Sequence, residues 1–236
     1  MANILIISAV FNPEPVVSAK LSEDLAHELS KGNTVSVIAP NPTRPFGFKL
    51  NEKDINKSYT LINLDSYTCP ESNVYGRFKE SYSFGLACSK YIKENRDNID
   101  LIYMNSWPIF AQYLTVKTAN KFCISIITHI QDVYPESLST KIPILGFLFN
   151  LIFKPIDKII LKKSNKIIAI SEKMKNYLND SRQISLKKIK VVKNWQDEEM
   201  FINFEKTNKS NFTENGGFGS YLKISSIVIF ILSIII

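Results

Sequence analysis

FCISIITHIQDVYPES, residues 122–137, decides how this chain is read. It starts as Cys123-Ile124-Ser125-Ile126-Ile127, an apolar, β-branched run that suits a strand buried on both faces. The character then changes. Thr128, His129, Gln131, Asp132, Tyr134 and Glu136 follow, and Pro135 bars a simple helical continuation. In open α/β sheets, ligands bind just past the carboxyl ends of parallel strands. A buried strand that opens into these side chains is the first candidate for a reacting end. The same residues also suit a polar loop with a hydrogen-bonded His and a turn-forming Asp. Spacing alone leaves both open.

Upstream, NILIISAV (3–10) reads as a buried strand and FNPEP (11–15) as a loop, since two close prolines exclude regular structure. Ser18 is placed to cap a helix with Leu21, Leu25 and Leu29 on one face, stopped by Gly32. TVSVIA (34–39) is the next strand. Such a β-loop-α-β unit joins parallel strands by a right-handed crossover. It lacks G-x-G-x-x-G, with Val16 and Val17 in the loop instead. Residues 41–57 read as an excursion over the ligand edge, 59–64 as a strand, 78–95 as a helix and IDLIYM (99–104) as a strand. Pro108 then opens a helix running through Lys121.

Downstream, IPILGFLFNLIF and KPIDKIILKK (142–163) form an amphipathic stretch too short to span a bilayer. Phe147, Phe149 and Phe153 with Lys154 and Lys158 are what an interfacial helix shows; packing on the sheet explains the apolar part equally. NKIIAIS (165–171) is a strand, 172–180 a short helix and KIKVVK (188–193) a last strand. The alternation predicts an α/β fold with a mainly parallel sheet. Residues 206–221 read as a linker, and 222–236 as an apolar tail.

The chain has 236 residues, 45% hydrophobic and 22% charged, which suits a globular protein with a real core. Its net charge of +7 fits an anionic lipid surface or a phosphorylated ligand. Scattered lysines without zinc-finger spacing or an RNP-like box argue against nucleic acid. Cys69, Cys88 and Cys123 lack motif spacing and fit ordinary core use. The apolar start has no basic n-region or cleavage site, so it reads as a strand.

Three stretches together resemble the family 4 glycosyltransferases, especially those of bacterial surface-polysaccharide synthesis. FNPEPVVSAKLSEDLAHELSKGNTVSVIAPNPTRPFG (11–47) resembles their opening, and THIQDVYPES (128–137) their acceptor-side loop. IIAISEKMKNYL (167–178) followed by KIKVVKNWQDEEMF (188–201) resembles the end of their N-terminal domain. There Asn194, Asp197 and Phe201 match Asn-x-x-Asp-x-x-x-Phe. The resemblance implies residues 1–205 as the Rossmann-like acceptor-side half of a GT-B fold, with helices on both faces of the sheet. It implies retaining sugar transfer from a nucleotide-diphosphate sugar to a lipid-linked saccharide, without cofactor or metal. His129 and Asp132 take the catalytic places, His129 near the reacting carbons and Asp132 orienting the acceptor hydroxyl. Glu14, Tyr134 and Glu136 would hold the acceptor, carboxylates accepting hydrogen bonds from sugar hydroxyls.

Val16 and Val17 depart from the family's glycines, and no counterpart of the donor-binding domain follows residue 204. The reading is therefore a truncated enzyme, inactive alone, cytoplasmic and peripheral on the inner face of the membrane, with the tail as a second point of insertion. Two other classes stay open: a non-catalytic acceptor- or lipid-binding domain, and a membrane-tethered interaction protein.

Overall fold

Short β-branched runs alternate with amphipathic segments, and each run becomes one strand of a single sheet. The computed structural model describes residues 1–43, 58–69, 73–106, 108–139 and 146–194. Residues 44–57 of the excursion expected at 41–57, the linker, the tail, Asp197 and Phe201 lie outside these residues. In chain order the strands are β1 (Asn3–Ile7), β2 (Thr34–Pro40), β3 (Thr60–Leu64), β4 (Leu101–Asn105), β5 (Ser125–Ile130), β6 (Lys166–Ala169) and β7 (Ile189–Val191). They pair in the order β3-β2-β1-β4-β5-β6-β7, every pair parallel. The sheet grows one way from β1 and resumes on its other side at β4. That reversal is the switch point outside which ligands of such sheets bind.

Alternation along the strands supplies two cores. Ile4 and Ile6 of β1 face α1 (Val17–Ser30) and meet its Leu21, Leu25 and Leu29. Leu5 and Ile7 face the other way, into a cluster with α2 (Val74–Asn95), α3 (Ile109–Lys121) and α5 (Gly146–Lys163). Each such leucine or isoleucine contributes roughly 1.5–3 kcal/mol by leaving water. At Gly85 of α2, a Cβ would stand 2.7 Å from Ala111 Cα, so the two helices cross where only glycine fits. α6 (Glu172–Arg182) closes the β6–β7 end, its Leu178 clustering with Ile184 beyond the helix and with Ile189 of β7.

Four of the differences from the sequence reading have a plain physical reason. β5 runs three residues further, taking Thr128, His129 and Ile130 into the ladder between β4 and β6. Polar residues are tolerated there because both find partners: Thr128 Oγ1 meets Ser164 Oγ at 2.7 Å, and His129 meets Tyr103. A one-turn helix, α4 (Glu136–Ser139), follows Pro135 directly. Proline's missing N–H costs nothing in a first turn, and its carbonyl accepts from Ser139 N at 2.9 Å. α2 starts at Val74 because Asn73 Oδ1 accepts from Gly76 N at 2.6 Å. Ser18 lies inside α1, whose cap position is Val16.

Candidate functional site

His129 sits at the carboxyl end of β5, in register with Asn105 of β4, and is 1% exposed. Its Nδ1 and the Tyr103 hydroxyl share a hydrogen bond of 2.5 Å, which fixes the ring. Tyr103 is itself buried in the α1-side core. Burial lowers the imidazole from its usual 6.5 to about 4, so the ring is neutral at physiological pH. Nε2 has no hydrogen-bond partner. If phenol donates to Nδ1, Nε2 carries a proton to donate; if Nδ1 donates, Nε2 accepts. Either way one directional bond of a buried atom is left unmet near the carboxyl edge of the sheet.

Around it the edge is polar and held in place. The Asn105 side-chain amide donates to Ser22 Oγ at 2.8 Å and to Ser8 Oγ at 3.3 Å, linking the ends of β1, α1 and β4 at the switch point. Ser106 N donates to the His129 carbonyl, and Gln131 N donates to Ser106 Oγ at 3.1 Å. The loops after β4 and β5 are thus tied together. Asp132 is exposed in the bend beyond β5, free of the packing that fixes His129. Glu14, in the loop after β1, is buried. Its Oε1 accepts from Thr43 N at 2.9 Å, so it bridges the loops after β1 and β2.

Glu136 is occupied. Arg182, 0% exposed, donates through Nη1 to Oε1 at 2.8 Å and through Nη2 to Oε2 at 2.6 Å. The Tyr177 hydroxyl adds a bond of 2.8 Å, and Lys154 lies 3.6 Å away. Burial alone would raise this carboxyl, but the bonds from Arg182 and Tyr177 hold it below the usual range. Arg182 also reaches Asp157 Oδ2 at 2.7 Å and the Tyr134 carbonyl at 2.9 Å. It fastens the post-β5 loop to α5 and α6. Tyr134 is buried with its ring against Phe153. Glu136 and Tyr134, read as acceptor-binding, are in this structure the supports of the loop that carries Asp132.

α5 divides by face. Phe147 (79% exposed), Leu148, Leu151 (61%), Ile152 and Ile159 point to solvent. Phe149 and Phe153, one turn apart, point inward. Phe153 corrects the sequence reading: it is 8% exposed, with ring centroids 5.1–6.0 Å from those of Phe78, Phe149, Phe110 and Tyr134, so it is a core residue and no membrane contact. Phe149 is partly buried and stacks on Phe78. Lys158 Nζ donates to Gln183 Oε1 at 2.5 Å. Among the described residues no helix is long and apolar enough to cross a membrane, and no three of His, Cys, Asp and Glu gather as metal ligands.

Sequence reasoning missed Tyr103, Asn105, Ser8, Ser22 and Arg182. Asn105 had a readable signal, a polar residue closing an apolar strand. The others read locally as core or surface.

The model of Glycosyltransferase Family 4 matches residues 19–199. No curated protein sequence matches the chain. Among solved structures, sucrose-phosphate synthase from Thermosynechococcus elongatus superposes with a TM-score of 0.64 at 15% identity, over 89% of this chain and 53% of that one. Anabaena HepE in complex with UDP and glucose gives 0.52 at 12% identity, over 85% and 46%. An Arabidopsis thaliana UGT protein complexed with UDP gives 0.52 at 14%, over 88% and 56%. The chain spans about half the length of these structures, and the likeness is one of fold, the Rossmann-like sheet of GT-B glycosyltransferases.

Proposed function

Because the chain belongs to glycosyltransferase family 4, we propose that its sheet edge is the acceptor side of a glycosyl-transfer site. The site serves transfer from a nucleotide-diphosphate sugar to a lipid-linked saccharide in surface-polysaccharide synthesis. In the step, the bond from the anomeric carbon to the diphosphate breaks. The acceptor hydroxyl oxygen bonds that carbon with retention, and its proton passes to the departing nucleoside diphosphate. His129 hydrogen-bonds a saccharide hydroxyl near the reacting carbon, and Asp132 orients the acceptor hydroxyl. Glu14, Tyr134 and Glu136 hold the surrounding loops in shape. The observation that carries this reading is His129 Nε2, buried, on a neutral ring and without a partner. Leaving such an atom unmet costs about 1–3 kcal/mol, which a ligand hydroxyl would recover.

The described residues form one Rossmann-like domain, so the proposal expects turnover only with a donor-binding half present. In an assay of radiolabelled nucleotide sugar with lipid-diphosphate saccharide, activity should need that half to be present. His129→Ala and Asp132→Asn should then each lower kcat by about 10²–10⁴-fold. Losses under about threefold for both would leave the edge as structure only.

The exposed face of α5 favours a membrane role for the same domain. α5 joins parallel strands β5 and β6, so it runs antiparallel to them and its first turn lies at the carboxyl edge. Phe147, Leu148 and Leu151 therefore stand on the side where a lipid-linked acceptor would arrive. The proposed contact is with an anionic inner leaflet, each nearby lysine adding about 1 kcal/mol. A chain stopped at Asn208 should float with phosphatidylglycerol vesicles at low salt and detach at high salt. Phe147→Ser with Leu151→Ser should abolish flotation. Flotation of the full chain alone, resistant to salt, would make the tail the anchor instead.

A further inference from the structure

Gln131 stands two residues beyond His129, just past the end of β5. Its side-chain nitrogen is buried and, like His129 Nε2, has no hydrogen-bond partner. These two nitrogens lie at one strand end. His129 is the last residue but one of the strand and Gln131 opens the bend that follows it, so the two groups stand two positions apart in the chain. The backbone between them is pinned on both flanks: the His129 carbonyl accepts from Ser106 N at 2.9 Å, and Gln131 N donates to Ser106 Oγ at 3.1 Å. Two unmet buried polar atoms at one strand end are a standing cost. They lose that cost together if one ligand meets both.

The chemistry narrows the ligand. The Gln131 nitrogen only donates, and it is uncharged. His129 is uncharged as well. A diphosphate is ordinarily gripped by cations or by helix N-termini, whereas neutral amide and imidazole groups suit the oxygen of a hydroxyl. We propose that Gln131 is a specificity-determining residue that binds a saccharide hydroxyl beside His129 and selects its configuration. This rests on the glycosyl-transfer reading above. A site built to hydrogen-bond a hydroxyl rejects an analogue that cannot place one there, because its own buried group is left unpaired.

The test uses the full chain, labelled with ¹⁵N and titrated with methyl glucoside, methyl galactoside, UDP-glucose and UDP. Expected is a saturable shift of the Gln131 side-chain amide with one methyl glycoside, or with UDP-glucose beyond the effect of UDP. The glycoside arm marks an acceptor saccharide, and the UDP-glucose arm a donor saccharide. Gln131→Met should weaken that Kd about three- to tenfold, the worth of one hydrogen bond. It should leave the urea midpoint unchanged or raised, since it removes an unpaired buried donor. Saccharide-induced shifts elsewhere on the carboxyl edge, with the Gln131 amide unmoved or the variant's Kd equal to the parent's, overturn the inference and leave the function standing. A large drop in midpoint for Gln131→Met also overturns it, by showing the amide to be structural. If no saccharide shifts any resonance of the β4 and β5 ends, the function and the inference both fall.

Discussion

Arg182→Ala should lower the unfolding free energy by about 3–5 kcal/mol, the usual cost of breaking a buried ion pair from one side. The guanidinium is fully buried and holds two carboxylates, Asp157 on α5 and Glu136 on α4, together with the Tyr134 carbonyl. Without it, Asp157 stays buried with its countercharge gone. Arg182→Lys should recover only part of the loss, because an ammonium cannot make the fork that meets both Glu136 oxygens. Urea titration checks this, with the midpoint falling and the m-value kept. A loss under about 1 kcal/mol would class the cluster with exposed ion pairs. Since the cluster fastens the loop that carries Asp132, Arg182→Ala should also loosen the proposed site.

The second large effect concerns acid. Burial holds His129 down to about 4, whereas the unfolded chain titrates near 6.5. Below 6.5 the unfolded state takes up a proton that the folded state refuses, so stability falls as pH falls, from about 6.5 to about 4. The gap of about 2.5 units, at 1.36 kcal/mol each, amounts to about 3 kcal/mol. Between pH 7 and pH 5 the loss should be about 2 kcal/mol. Comparing His129→Gln with the parent cancels every other group that titrates in that window. The difference between the two should shrink by this amount on going from pH 7 to pH 5. Parallel pH profiles for the two proteins would refute a buried neutral imidazole. Glu136 acts lower: its depressed carboxyl stabilises the fold above the unfolded value near 4.5 and ceases to as pH falls through the folded one.

Alternation of short β-branched runs with amphipathic segments was enough to read the parallel α/β sheet, because each period reports burial locally. The end of β5 was not readable. Thr128 and His129 look like loop residues until Ser164 and Tyr103, 36 and 26 positions away, supply their partners. Arg182 was invisible for the same reason: an arginine ending a helix reads as surface, and its acceptors lie 25 and 46 positions upstream. The faces of α5 were more accessible. Phe149 and Phe153 are spaced i, i+4, as an inward stripe requires, while Phe147 and Leu151 make a second stripe turned outward. Grouping all the aromatics by composition blurred a distinction that the helical period contains.

The place of β1 in the sheet has a consequence for how the chain is made. On its β4 side, Ile4 meets Leu101, a residue synthesised 97 positions later. β2 ends at Pro40 and β4 at Asn105, so 65 further residues must leave the ribosome before that flank is covered. At about 5–20 residues per second, the interval is roughly 3–13 s. Throughout it, Ile4, Leu5, Ile6 and Ile7 present an open strand edge, the feature that recruits stray pairing partners. The nascent chain is therefore most prone to aggregation while the stretch between β2 and β4 is being translated. A chaperone that shields extended apolar segments would act then, and synonymous codons that speed translation of this stretch should raise the soluble yield.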